Sequence, residues 1–199
     1  ADAAAALVAC NQLWGLGLTL EQLCQIGRTL GADVPACIMG GMTLGQGRGD
    51  RLTFLLDPDQ SLWPRHYWVM ARAHHGLSTP EVFRTLDQLR EGSAPAQLSE
   101  AEKRALCADA DTLASVLCND LTVPALHLYP ELETTIHDAK DAGACAVILS
   151  GSGPTIAVLA RDREHAGELA DALGASSEVS AVLPTSGPAV GAIVEEEES

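Results

Sequence analysis

Basic residues are scarce in this chain: 12 Lys plus Arg stand against 27 Asp plus Glu, a formal charge of −15 over 199 residues. Nucleic-acid backbones are bound through many cationic contacts, so that deficit excludes an extended nucleic-acid surface. Any phosphorylated ligand must be held by local devices: backbone N–H groups, helix N-termini, a magnesium ion and a few placed side chains. Long apolar runs are missing too. The longest, Ala3 to Cys10 and Ala144 to Leu149, fall well below the roughly 18 to 20 residues of a membrane span. No charged-then-apolar signal segment precedes them, and the expected location is the cytoplasm. The six cysteines (Cys10, Cys24, Cys37, Cys107, Cys118 and Cys145) form no CxxC pair and have no histidine at zinc spacing. They read as buried thiols in a reducing compartment. Internal repeats are lacking, as is the Walker pattern GxxxxGKS or GxxxxGKT. Nothing in the sequence sets an oligomeric state.

What is present is 47% hydrophobic residues, ample for a buried core in one large domain or two small ones. Ala3 to Trp14 has alanine-rich helix propensity, with Asp2 placed as N-cap. Thr19 and Gln22 make a capping box for a second helix that stops at Gly31. From Ala36 the pattern becomes strand punctuated by Gly40, Gly41, Gly45, Gly47 and Gly49, ending in Arg51 to Leu56. Leu56 to Arg65, with Pro58 and Pro64, reads as a linker.

Beyond it, His66 to Ala71 is a predicted strand. Ser78, Thr79 and Pro80 start a helix, a cap residue followed by proline at the first helical position. Helical segments follow near Ser99 to Leu117 and Glu131 to Ala142. Next come a buried strand Cys145 to Leu149, a glycine loop Ser150 to Pro154 and a strand Thr155 to Leu159. A helix near Arg163 to Leu173 and strands around Val179 to Leu183 and Ala189 to Val194 complete the pattern. That order predicts an α+β layer sandwich of ferredoxin-like kind. The run Glu195 to Glu198 reads as a solvated tail.

Three places can carry chemistry, each with a plain alternative. The opening helix N-terminus is an anion site or an ordinary capped end. Asp33 follows a helix-terminating glycine and precedes Val34 and Pro35. Proline biases Val34 towards an extended backbone and aims the carboxylate, which suits a general base and equally a cap. Ser150 to Thr155, SGSGPT, either presents N–H donors to a phosphate or forms a tight turn. His74 and His75 follow a strand and read as surface or hinge residues.

In combination, the order ADAAAALVACNQLWG, GADVPAC, GGMTLGQGRGDRL, LSTPEVF and SGSGPTIAVL resembles the GHMP kinase superfamily, from Ala1 to about Val194. The resemblance implies a two-domain fold: residues 1–62 as the C-terminal part of the ATP-binding domain, and 63–199 as the ferredoxin-like C-terminal domain. It implies ATP and Mg²⁺ as cofactors, a small-molecule alcohol as substrate, and Asp33 as the catalytic base. Ala1 and Asp2 would be the last positions of the phosphate-binding loop, whose bulk is absent here along with a lysine-bearing segment before it. Gly151, Ser152 and Gly153 would border the nucleotide phosphates. Thr79, with its neighbour Ser78, would lie near the substrate, and Asn119 and Asp120 match a recurrent pair with no derived role. No metal ligand can be assigned.

Within that superfamily, the resemblance, favoured by LSTPEVF and by the close spacing of GADVP to GGMTLGQGRG, implies phosphorylation of the 2-hydroxyl of a diphosphocytidyl-linked methylerythritol in non-mevalonate isoprenoid biosynthesis. The alternatives are a homoserine, mevalonate or sugar kinase of the same superfamily, or a non-catalytic fragment retaining binding alone. A first unit this short is also expected to expose apolar helix faces.

Overall fold

The alanine-rich opening folds as α1 (Asp2–Leu13) in the computed structural model, which describes residues 1–56, 63–90 and 97–195. Ala1, not Asp2, occupies the N-cap, and no side chain caps the helix. Asp2 is instead the first helical residue, where its charge still suits the positive end of the dipole. In α2 (Leu20–Leu30) the Thr19–Gln22 capping box is present, and Gly31 is the C-cap. Asn11 fastens the turn between these helices, donating to the Leu18 carbonyl at 3.1 Å and accepting the Leu18 N–H at 2.9 Å.

After Gly31 the backbone departs from expectation. Val34–Met39 is a helix, α3, where strand was expected from Ala36 and extended backbone at Val34. Pro35 falls in the first turn, where its missing N–H is no loss and its fixed φ is already helical. Burial decides the rest: Pro35 and Ile38 face inward, and Ile38 joins Ala4, Leu23 and Cys24 in one small core. A Cβ on Gly27 of α2 would lie 3.0 Å from Val34 Cγ1 and 3.1 Å from Ile38 Cδ1, so a bare glycine is what lets α3 approach this closely. The glycine-punctuated stretch then forms a hairpin, β1 (Thr43–Gln46) antiparallel to β2 (Arg51–Phe54). Arg28 of α2 donates to the Asp50 carbonyl in its turn at 2.8 Å.

The expected strand Ala189 to Val194 is reduced to one bridge, Gly40 to Val190. Gly41 donates to Ala189 and Ala192 to Cys37, so this segment belongs with the first compact unit rather than the second. That unit comprises 1–64 and the chain from 188 on, and the second is 65–187. Pro58 and most of the expected linker, and Glu196 to Glu198 of the expected tail, lie outside the described residues.

The second unit is built on a four-stranded antiparallel sheet: β3 (His66–Ala73), β4 (Ala146–Leu149), β5 (Ile156–Ala160) and β6 (Val179–Gly187). The strand order β4-β5-β3-β6 is the ferredoxin-like arrangement, in which the first and third strands lie at the centre. Every residue of β5 is buried, as its unbroken apolar run requires. Between β3 and β4 run α4 (Thr79–Leu89), α5 (Glu100–Leu106), α6 (Ala110–Ala114), α7 (Thr122–Leu128) and α8 (Leu132–Asp141). α9 (Arg163–Gly174) joins β5 to β6. The single helix expected over Ser99 to Leu117 is two, because Asp109 accepts the Thr112 N–H and restarts the helix. Leu132, Ala139, Leu169 and Leu173 from α8 and α9 join Val69, Leu149, Ile156 and Val158 of the strands in one core. No helix among the described residues is long and apolar enough to cross a membrane.

Candidate functional site

The candidate residues fall into two sets, one in each unit. In the first, Asp33 is the N-cap residue of α3 by position, with φ −84° and ψ −12°, yet its side chain accepts no capping hydrogen bond. Among the described residues no ion pair engages it either. The exposed carboxylate therefore lacks the partner that would explain it as a cap. Its mount is firm: Pro35 is buried, and the Cys24 thiol points at the Pro35 carbonyl at 3.9 Å. Burial pushes the Cys24 thiol up, with Arg28 partly opposing it, so this sulfur stays protonated and serves packing. α1 packs against α3 through the core formed by Ala4 and Ile38. Ala1 and Asp2 are exposed at the head of α1, whose first N–H groups have no acceptor within the helix.

In the second unit, the glycine loop turns from β4 into β5. The Ser150 N–H donates to the Thr155 carbonyl at 2.8 Å, and the Gly153 N–H to the Ser150 carbonyl at 2.9 Å. Gly151 and Gly153 have φ of +58° and +79°, backbone open to glycine at little cost, and the Gly153–Pro154 peptide is cis. Among the described residues the N–H groups of Gly151 and Ser152 meet no acceptor. They are the donors a phosphate oxygen would use.

Thr79 reaches this loop directly: its Oγ1 lies 2.8 Å from Ser152 Oγ. Ser78 is the N-cap of α4, its carbonyl accepting from Glu81 and Val82, and its hydroxyl caps nothing. Ser78, Thr79, Gly151, Ser152 and Gly153 thus form one exposed to half-buried polar edge.

Two features escaped the sequence reading. α7 was not expected; its Pro124 falls in the first turn, where a proline is compatible with a helix. Asn119, known only as half of a recurrent pair, donates from Nδ2 to the carbonyls of Leu149 at 2.9 Å and Gly151 at 2.8 Å, and accepts the Leu121 N–H at 2.9 Å. Asp120 forms an ion pair with Arg90 at the end of α4. His74 contacts the Ser177 carbonyl at 3.0 Å, and the His75 ring lies 6.3 Å from that of Tyr129, neither in the loop contacts. The cysteines are less buried than expected. Cys24 is buried, Cys10, Cys37, Cys107 and Cys145 are half-buried, and Cys118 is exposed.

Comparison with known proteins gives the following. The model of the GHMP kinases N terminal domain matches residues 1–41, and that of the GHMP kinases C terminal matches residues 103–179. The chain is 45% identical over 197 residues to 4-diphosphocytidyl-2-C-methyl-D-erythritol kinase of Streptomyces coelicolor, covering 98% of this chain and 64% of that protein. It is 43% identical to the kinase of the same name from Nocardia farcinica, covering 100% and 64%. A crystal structure of 4-(cytidine 5'-diphospho)-2C-methyl-D-erythritol kinase superposes with a TM-score of 0.74 at 29% identity, over 93% of this chain and 63% of that one. L. major mevalonate kinase shares the fold, with a TM-score of 0.71 at 20% identity over 96% and 65%. The chain spans somewhat under two thirds of the length of these relatives.

Proposed function

Because the chain belongs to the GHMP kinase superfamily, we propose that its protein transfers the γ-phosphoryl group of ATP to the 2-hydroxyl of 4-diphosphocytidyl-2-C-methyl-D-erythritol. The supporting likeness is to kinases of that name, at 45% identity over nearly the whole chain. The observation that carries the chemistry is Asp33, an exposed carboxylate on a buried mount with no cap bond to occupy it. In this reading Asp33 takes the proton of the hydroxyl as its oxygen bonds to phosphorus and the bond to the ADP leaving oxygen breaks. That role needs its carboxylate within about 2.6 to 3.2 Å of the hydroxyl.

Phosphoryl transfer gains little from covalent help and much from positioning and charge stabilisation. In the second unit the N–H groups of Gly151 and Ser152, which meet no acceptor among the described residues, offer positive partial charge to phosphate oxygens; in the first unit the head of α1, at Ala1 and Asp2, offers the same. An acidic protein can therefore hold a polyphosphate without a basic patch. Ser78 and Thr79, polar and exposed beside the glycine loop, are assigned to the substrate side. Magnesium, when bound, neutralises phosphate charge. Its usual donors are phosphate oxygens, water and one or two carboxylates, a set that requires no dedicated protein cage. Among the described residues no group of three or more His, Cys, Asp or Glu stands together to form one, and Asp2 and Asp33 are oxygen donors of the required kind. The cytoplasm is the proposed compartment, in keeping with thiols outside disulfides.

The test is a substrate panel on the full gene product carrying this chain, with ATP and magnesium. Phosphorylation of the cytidyl substrate in preference to mevalonate, homoserine and sugars is expected. Turnover of one of those with none of the cytidyl substrate would overturn the substrate assignment, and no turnover of any would overturn the kinase reading.

A further inference from the structure

We propose that Asn119 is a positioning residue that sets the shape of the glycine loop for phosphate binding. The inference rests on the kinase reading above, and it starts from the three hydrogen bonds of one side chain. Nδ2 donates to two carbonyls, Leu149 at the end of β4 and Gly151 within the loop, and Oδ1 accepts the Leu121 N–H. Only an amide can make this set, because two partners are acceptors and the third is a donor. Serine is too short to span both carbonyls, and aspartate has no hydrogen to give them.

The place of the clamp matters more than its bond count. Leu149 is 3% exposed and anchored in the core, whereas Gly151 is exposed and has open space where a side chain would be. Asn119 therefore ties the mobile-prone type of backbone, a glycine at φ +58°, to the last core residue of the strand. By holding the Gly151 carbonyl, it fixes the orientation of the next peptide plane, whose N–H is that of Ser152. That N–H and the Gly151 N–H are the ones in the loop with no acceptor among the described residues. The Ser152 hydroxyl is meanwhile held by the Thr79 hydroxyl at 2.8 Å. Two residues thus hold the loop, Asn119 through the loop's backbone and Thr79 through a side chain.

Asn119→Asp is the variant of choice, since it keeps the acceptor for Leu121 and sets a carboxylate against two carbonyl oxygens. In the full gene product, kcat is expected to fall roughly 10²-fold, the cost of a misplaced binding group. KM for ATP should rise about tenfold by the same displacement, and KM for the cytidyl substrate should stay within about twofold. A folded variant with kcat and the ATP KM within twofold of wild type would overturn the proposal. A merely structural role would lower the melting temperature without that split. If Asn119→Asp does not fold, Asn119→Ser replaces it, with the same expectations. A wild-type protein that phosphorylates nothing refutes the kinase reading instead. Amide hydrogen exchange over residues 150–153 then decides the clamp: faster exchange in the variant upholds it, and unchanged exchange overturns it.

Discussion

The two units hold their candidate groups by different means. In the second unit the glycine loop hangs from strands in a continuous core, with Leu149 at 3% exposure, Ile156 and Val158 at 0%, and Leu169 and Leu173 packed on them at 0%. In the first, Asp33 stands on a six-residue helix over a small core of Ala4, Leu23, Cys24 and Ile38, while Leu13 and Trp14 are 78% and 65% exposed. The second unit buys rigidity with buried area, the dominant favourable term in folding. The first obtains local order from close approach at Gly27, a proline at the head of α3 and a capping box on α2. The proposed phosphate loop is tied by Asn119 to a deep strand. The carboxylate proposed as base stands on a short helix alone.

That contrast can be broken most forcefully in the larger core. Leu169→Ala, at a fully buried position between α9 and the sheet, should destabilise the second unit by about 2 to 5 kcal/mol in denaturant unfolding. Leu13→Ala, on the exposed end of α1, should change stability by less than about 0.5 kcal/mol. Equal losses from the two would contradict the burial of these two side chains.

Next in size is Gly40→Ala. Gly40 has φ +63°, and a Cβ there would fall 2.0 Å from the Gly191 backbone nitrogen. The variant should cost about 1 to 3 kcal/mol, from backbone strain and displacement of 189–192. Faster amide exchange at Gly41 and Ala192, whose N–H groups bond Ala189 and Cys37, would locate the damage. Thr19→Ala, removing half of the capping box, should cost about 1 kcal/mol by thermal melting, confined to the first unit.

The smallest effect is on pH. The Asp109 carboxyl is held below the usual carboxylate range first by the Thr112 N–H and then by the Thr112 hydroxyl. The Ser99 hydroxyl and then its N–H do the same for Glu102. A depressed folded pKa means that the stabilisation is full above the unfolded value, about 4, and is lost as pH falls through the folded one. Acidification below about pH 4 should therefore fray α5 and α6 of the second unit slightly, read by nuclear magnetic resonance shifts of Thr112 and Glu102 amides. Unchanged shifts there would remove the caps from the account.

The ferredoxin-like sheet was legible because its strands are short apolar runs separated by turn residues, and Cys145 to Leu149, SGSGPT and Thr155 to Leu159 carry that signal plainly. Helix starts with side-chain chemistry, such as Thr19 and Gln22, were legible for the same reason. What was not legible depended on tertiary packing. Val34–Met39 became helix because Ile38 is needed in the small core, against the strand-like signal of the glycines that follow. Ala189 to Val194 had strand composition, yet bonds to Gly41 and Cys37 carried it into the first unit. The Asn119 amide was legible only as half of a recurrent pair, without a role. Its meaning lies in carbonyls 30 and 32 residues away, which no local pattern reports.

The most direct test is transfer of the labelled γ-phosphoryl group from ATP to the cytidyl substrate by Asp33→Asn, beside wild type, with melting curves for both. With no cap bond to lose, the variant should melt within about 2 °C of wild type. Its transfer rate should fall by about 10² to 10⁴, the usual worth of a positioned base. An undiminished rate at equal stability would contradict the account, and so would a melting temperature lowered as far as a lost helix cap requires.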